Sequence, residues 1–217
     1  MNIDHKTLVL RFDSDELVKK NYSQAAQDIF VLCCLNGEPA GTFLDLGCHH
    51  PTDINNTYLL EDQFFWRGVS IDISAPMIEL YTCRNTVSLN EDCTRLDFDK
   101  IIALGQTHHF DYLSLDLEPA SVTLDCLTSI PFDKIEFSLI TYEHDSYRFG
   151  EQHTENSRKI IEKHGYKRIC SNVSNGGNIY EDWYYNPKYV SYERIKILES
   201  ANKEWRDILF KQQGENK

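Results

Sequence analysis

The sequence predicts an α/β fold, a mainly parallel sheet with helices on both faces. Two observations predict it. Short segments rich in β-branched and aromatic residues recur through the interior: TFLDL, GVSIDI, TVSLN, DYLSLDL, FSLITYE and YKRICSNV. Between many of them lie stretches whose apolar residues fall at helical spacing. Alternating strands and helices bury a parallel sheet between two helical layers. The 217 residues suit one domain large enough for a sizeable core.

Taken in order, a helix is predicted over 23–35, with Ser23 as its N-cap. TFLDL is the first strand, and a helix over 55–65 follows it. GVSIDI is the second strand. The next helix, 76–83, carries Pro near its start, where a missing N–H costs nothing. TVSLN and DYLSLDL are the third and fourth strands. A helix over 121–127 leads to FSLITYE, and one over 154–164 ends at Gly165 as C-cap. After YKRICSNV, the stretch GGNIYEDWYYNP reads as a turn and a strand with no helix between, hence a final antiparallel hairpin. A C-terminal helix is predicted over 192–210, then a loose polar tail, KQQGENK. The expected organisation is an N-terminal extension (1–20), the main domain (21–190) and a C-terminal helix with its tail (191–217).

The net charge of −12, from 34 acidic and 22 basic residues, repels phosphate backbones. No Lys/Arg cluster offers a groove, so nucleic acid is not an expected partner. The N-terminus lacks the basic start and long apolar run of a signal peptide. No stretch approaches about 18 apolar residues, so a membrane is not expected either. Seven cysteines without C-x-x-C spacing read as reduced thiols of a cytoplasmic protein.

In an open α/β sheet, ligands sit beyond the carboxyl ends of the strands. Five successive strand candidates deliver acids to that rim. They are Asp45, followed by Gly47; Asp72; Asp92, after Asn90 and Glu91; Asp116 and Glu118; and Glu143 and Asp145, flanking His144. One such acid has an ordinary reading as a helix cap. Five together need a cation or hydrogen-bond donors. An acid ending the second strand is the pattern that grips a ribose diol, although the interval from Gly47 to Asp72 exceeds the usual twenty or so. The G-x-G-x-x-G fingerprint is absent, since His49 and Thr52 stand where glycines would. That argues against NAD or FAD. A cofactor with a ribose and no phosphate, S-adenosylmethionine, fits instead, its positive charge suited to an acidic rim. His49 and His50 could suggest a metal; being adjacent, their side chains diverge, and loop shape or cofactor contact is the expected role.

The stretches YSQAAQDIFVL, GTFLDLGCHHPTDINNTYLLE and FFWRGVSIDI resemble FkbM-type S-adenosylmethionine-dependent methyltransferases. Later stretches are similar to the same family: DYLSLDLEPAS, FDKIEFSLITYEHDSYRFGE, SRKIIEKHGYKRI and EDWYYNP. The resemblance implies a class I methyltransferase (Rossmann-like) fold, a seven-stranded sheet with an antiparallel last strand, and O-methylation, often of sugar or polyketide hydroxyls. Carried over by position, Asp45 and Gly47 belong to the cofactor turn, and Asn56 and Thr57 open the helix after it. Asp72 would hold the ribose. Asp92 would face the adenine amine with Cys93 alongside, and Asp116 would border the cofactor. Gln24 and Gln27 would cover the pocket. Where many members carry D-V-E-G, this chain has DLEPAS; Pro119 donates no N–H, so the acceptor side differs.

Methylating a hydroxyl requires a base, a metal or both. The candidate catalytic residues are Glu118, Glu143, His144 and Asp145. Some sugar methyltransferases of this fold place a divalent ion where Asp116, Glu143 and His144 would stand; oxygens favour Mg²⁺, and the histidine leans toward Mn²⁺. Without metal, Glu143 and His144 could act as base and orienting partner, or His144 could be purely structural. Tyr180, Trp183, Tyr184 and Tyr185 read as a sugar platform or as core; Trp66, Cys33 and Cys34 read as core. The expected function is O-methylation of a sugar, glycan or small polar metabolite. The alternatives are a non-catalytic nucleoside-binding module and an RNA cap methyltransferase, the latter disfavoured by charge.

Overall fold

The computed structural model describes residues 1–211. Five parallel strands come first: β1 (Thr42–Leu46), β2 (Arg67–Asp72), β3 (Val87–Asn90), β4 (His109–Leu115) and β5 (Glu136–Glu143). β6 (Lys167–Asn175) and β7 (Asn178–Tyr185) form the predicted hairpin. The sheet order is β3-β2-β1-β4-β5-β7-β6-β8, with β7 antiparallel to both neighbours. The order reverses between β1 and β4, which opens a crevice at their carboxyl ends. The predicted seven strands are joined by an eighth, the two-residue β8 (Ser200–Ala201), parallel to β6.

The helices are α1 (Gln27–Cys34), α2 (Tyr58–Phe64), α3 (Ala75–Ile78), α4 (Phe98–Gly105), α5 (Ala120–Ser129), α6 (Ser146–Phe149), α7 (Glu151–Lys163), α8 (Tyr192–Ile195) and α9 (Trp205–Leu209). Several differ from the prediction. α1 starts at Gln27 because Ala26 is left-handed (φ 57°); Ser23 instead bonds Asp28 from outside the helix. α2 starts at Tyr58, since Asn55 Oδ1 accepts the N–H groups of Thr57 and Tyr58 at 3.0 and 2.8 Å. The 76–83 helix divides into α3 and a 3₁₀ turn, Glu79–Cys83. α4 was not predicted, although Asp97 caps it at Asp99 and Lys100.

The predicted helix over 192–210 is broken. The exposed edge of β6 claims its middle: Asn202 N–H donates to the Ser171 carbonyl, and Ser174 N–H to the Lys203 carbonyl. Those pairings end α8 and leave α9 as a separate turn. Of the predicted polar tail, 212–217 lie outside the described residues.

The sheet buries one apolar cluster on each face. Tyr180, Trp183, Tyr184 and Tyr185 are all buried, so the reading as a sugar platform gives way to core packing. Trp183 lies 4.5 Å from Phe30, centroid to centroid. Burying a large apolar side chain of this kind contributes about 2–3 kcal/mol. Trp66, Cys33 and Cys34 are core as well, and all seven cysteines are free. Among the described residues no helix is long and apolar enough to cross a membrane.

Candidate cofactor and acceptor cleft

A cleft of about 870 Å³ opens at the carboxyl ends of the parallel strands. Its floor begins at Gly47, where φ is +87° and a Cβ would stand 1.8 Å from the Asp116 carbonyl oxygen. Only glycine lets the turn after β1 pass this close to the end of β4. The N–H groups of Gly47 and Cys48 both donate to the Ile71 carbonyl, tying that turn to β2.

Asp72 ends β2 and lines the cleft. Its Oδ2 accepts the His49 N–H at 2.9 Å and its Oδ1 the Ser74 N–H at 2.7 Å. Two backbone donors orient the carboxylate and leave each oxygen a further lone pair. Asp92 lines the next part of the wall. Hydrogen bonds from the Thr94 hydroxyl and N–H hold its carboxyl below the usual range. Beside it, burial pushes the Cys93 thiol up to about 12, so it stays neutral. The apolar surfaces are Ile54, Ile73 and Met77 on this side, with Leu117 and Val122 elsewhere in the lining. Ile73 is 73% exposed and presents its side chain to the cleft.

Other predicted cofactor residues stand beneath the cleft rather than along it. Asp45 is buried and accepts from Thr57 Oγ1 at 2.9 Å. Burial raises its carboxyl to about 6, against the hydrogen bonds from Thr57 and Ser114. Asn56 donates to Ser114 Oγ at 3.0 Å. Gln24 reaches the cleft, but Gln27 turns inward, donating to the buried Glu181 at 2.7 Å. Gln27 is therefore a packing residue of the core, not a cover for the pocket.

Across the cleft, Asp116, Glu118 and Glu143 line the ends of β4 and β5. Oxygens of Glu118, Glu143 and Asp145 lie within 4.8 Å of one another. Arg148, on α6, donates to Glu118 at 2.7 Å and to Asp145 at 3.2 Å. Glu143 hydrogen-bonds to Asp116; burial and then the Asp116 charge push the Glu143 carboxyl far up, so the pair holds a proton at neutral pH. Burial raises Asp116 too.

His144 does not join this group. Its ring is wholly buried on the other face, with Nδ1 accepting the Ser146 N–H at 3.2 Å and Nε2 lying 3.6 Å from Asp182. Successive strand residues point to opposite faces, so Glu143 and His144 part. Asp145, in a left-handed turn (φ 48°), stands with the acids. The predicted ion set of Asp116, Glu143 and His144 thus does not assemble. The carboxylates that do gather at ligand spacing are Glu118, Glu143 and Asp145. Arg148 already balances Glu118 and Asp145, and an ion bound there would have to displace the proton on Glu143.

The cleft also includes residues outside the expected cofactor-binding set. His49 and His50 both line it, as do Ile73 and Thr94. The signal for Ile73 was an apolar residue directly after a strand-end acid. A second hollow, about 690 Å³, lies by the amino ends of β1 and β2, among Leu17, Pro39 and Phe65, away from the grouped acids.

No protein-family model and no curated protein matches the sequence. Among solved structures, the chain is similar to the fibrillarin of Aeropyrum pernix with natively bound S-adenosyl-L-methionine. The two share 13% identity over 75% of this chain and 74% of that one, with a TM-score of 0.53. It is also similar to a putative rRNA methylase of Clostridium thermocellum, at 14% identity over 76% and 96%, TM-score 0.52. A third is the magnesium protoporphyrin IX methyltransferase of Synechocystis PCC 6803 with bound SAM, at 12% over 73% and 76%, TM-score 0.50. At such identities the likeness is one of fold. The chain has the class I methyltransferase fold, Rossmann-like, with an eight-stranded, mostly parallel sheet.

Proposed function

We propose that the protein is an S-adenosylmethionine-dependent methyltransferase acting on a hydroxyl of a sugar, glycan or small polar metabolite. One observation carries the reading. Asp72 ends β2 beside the Gly47 turn, fixed by two backbone N–H groups, with spare lone pairs on the cleft. That is the arrangement a ribose diol requires, without the glycines a pyrophosphate would need. Asp92, Cys93 and Ile73 would hold the adenine, one polar edge against an apolar wall. The bound cofactor would supply an electrophilic methyl on a sulfonium.

The chain's own task is then to align the acceptor and take its proton. Asp116 shares a proton with Glu143, and burial raises its carboxyl, which matches it better to proton transfer near neutral pH than an ordinary aspartate. Protonated Glu143 keeps Asp116 oriented. Glu118, tethered through Arg148 to Asp145, borders the acceptor's place. No Lys or Arg stands among the described residues lining the cleft, which favours an uncharged polar acceptor over RNA. The FkbM-type resemblance supports the same acceptor class.

Calorimetry with S-adenosylhomocysteine tests the reading. Wild type binds it, and Asp72→Ala binds it about a hundredfold more weakly. Absence of binding by wild type, or equal binding by Asp72→Ala, overturns the cofactor assignment. Labelled-methyl transfer to a panel of glycans then identifies the acceptor; binding without any transfer would leave a nucleoside-binding module.

A further inference from the structure

The loop between β1 and α2 forms one wall of the cleft in a conformation its sequence does not favour. His49 (φ 43°) and Ile54 (φ 51°) are both left-handed, and Ile54 is β-branched and 60% exposed. Such residues persist only where surrounding structure over-determines them. The surrounding structure here is a buried arginine. The Arg84 side chain is 0% exposed and its partner Glu61 is 7% exposed. Its Nε donates to Glu61 Oε2 at 2.9 Å. Its Nη1 donates to the Pro51 carbonyl at 2.7 Å and to Asn55 Oδ1 at 3.2 Å. Its Nη2 donates to Thr57 Oγ1 at 3.2 Å, and that hydroxyl continues to Asp45.

One guanidinium thus joins α2, the approach to β3, three points of the loop and the end of β1. Asn55 carries the hold onward, its Nδ2 donating to the carbonyls of Cys48 and His50. The loop in turn delivers the His49 N–H to Asp72. Arg84 lines no part of the cleft, so its effect passes through the loop.

We infer that Arg84, braced by Glu61, is the positioning residue that sets the 48–57 loop for cofactor binding. The inference rests on the methyltransferase reading for its ligand and on the loop geometry for its mechanism. Two variants test it. Arg84→Lys keeps the charge beside Glu61 but cannot span Pro51, Asn55 and Thr57 together. Glu61→Gln/Arg84→Met removes the pair without stranding a buried charge.

With both shown folded by circular dichroism, S-adenosylhomocysteine affinity is expected to fall about tenfold or more, the size of losing one hydrogen bond to a charged group. KM for S-adenosylmethionine rises while kcat at saturation holds. Hydrogen exchange quickens in peptides covering 48–57 and stays unchanged in β4 and β5. Wild-type affinity in the folded variants overturns the inference, as does a fall in kcat with KM unchanged. Should wild type bind no S-adenosylhomocysteine, the methyltransferase reading fails instead; loop exchange then decides this one, and unchanged exchange overturns it.

Discussion

The two walls of the cleft are both acidic, yet they hold their acids differently. On the β2 and β3 side, Asp72 and Asp92 accept backbone N–H groups and stand as oriented acceptors. On the β4 and β5 side, Asp116, Glu118, Glu143 and Asp145 face one another, with Arg148 and a shared proton to balance them. The difference teaches that an acid's role follows from its partners. Fixed dipoles make a carboxylate a binding group. Neighbouring carboxylates and burial make it a group that exchanges protons.

The largest expected effect separates the walls outright. Asp116→Asn should lower kcat by about 10²–10⁴, the usual contribution of a general base, while S-adenosylhomocysteine binds as in wild type. Equal loss of binding would erase the distinction. Next, Asp72→Ala should weaken that binding about a hundredfold, two hydrogen bonds at about 1.4 kcal/mol each, measured by calorimetry.

A third effect concerns pH. The ionised form of Asp116 is the active one, so kcat/KM should fall as pH drops through its raised pKa. That acid limb should lie above the ordinary aspartate range. Asp45 gives a smaller, opposite signature in stability. Its carboxyl rises from 3.8 to about 6 on burial, so its stabilising contribution is full below pH 4 and lost as pH rises through 6. The loss is on the order of 3 kcal/mol at most, and should vanish in Asp45→Asn when thermal melts at pH 4 and pH 7 are compared. The smallest effect is that of chelation: EDTA should leave turnover unchanged, because Arg148 and a proton already balance the acid group. Loss of turnover restored by Mn²⁺ would return an ion to that wall.

Much of this was legible in the sequence, and the failures have identifiable causes. Strand ends were readable because β-branched runs stop at acids, which placed Asp72, Asp92 and Asp116 correctly on one rim. The side-chain direction of His144 was missed, although alternation along FSLITYEH implied that it and Glu143 part. The start of α1 depended on a left-handed Ala26, which no local pattern announces. The 192–210 segment does carry helical spacing; it broke because β6 offered it backbone partners, a tertiary event. Arg84 and Glu61 are 23 positions apart, and nothing in either neighbourhood points to the other.

The two-residue β8 has a consequence for how copies of this protein meet. Its pairing with Cys170 and Ser171, together with the Ser174 N–H bond to the Lys203 carbonyl, interrupts the outer edge of β6 at its middle, and the opposite border of the sheet is the four-residue β3. An unpaired edge that short offers few free N–H and C=O groups to an incoming chain. The fold thereby blunts both flanks of its sheet as templates for edge-to-edge aggregation.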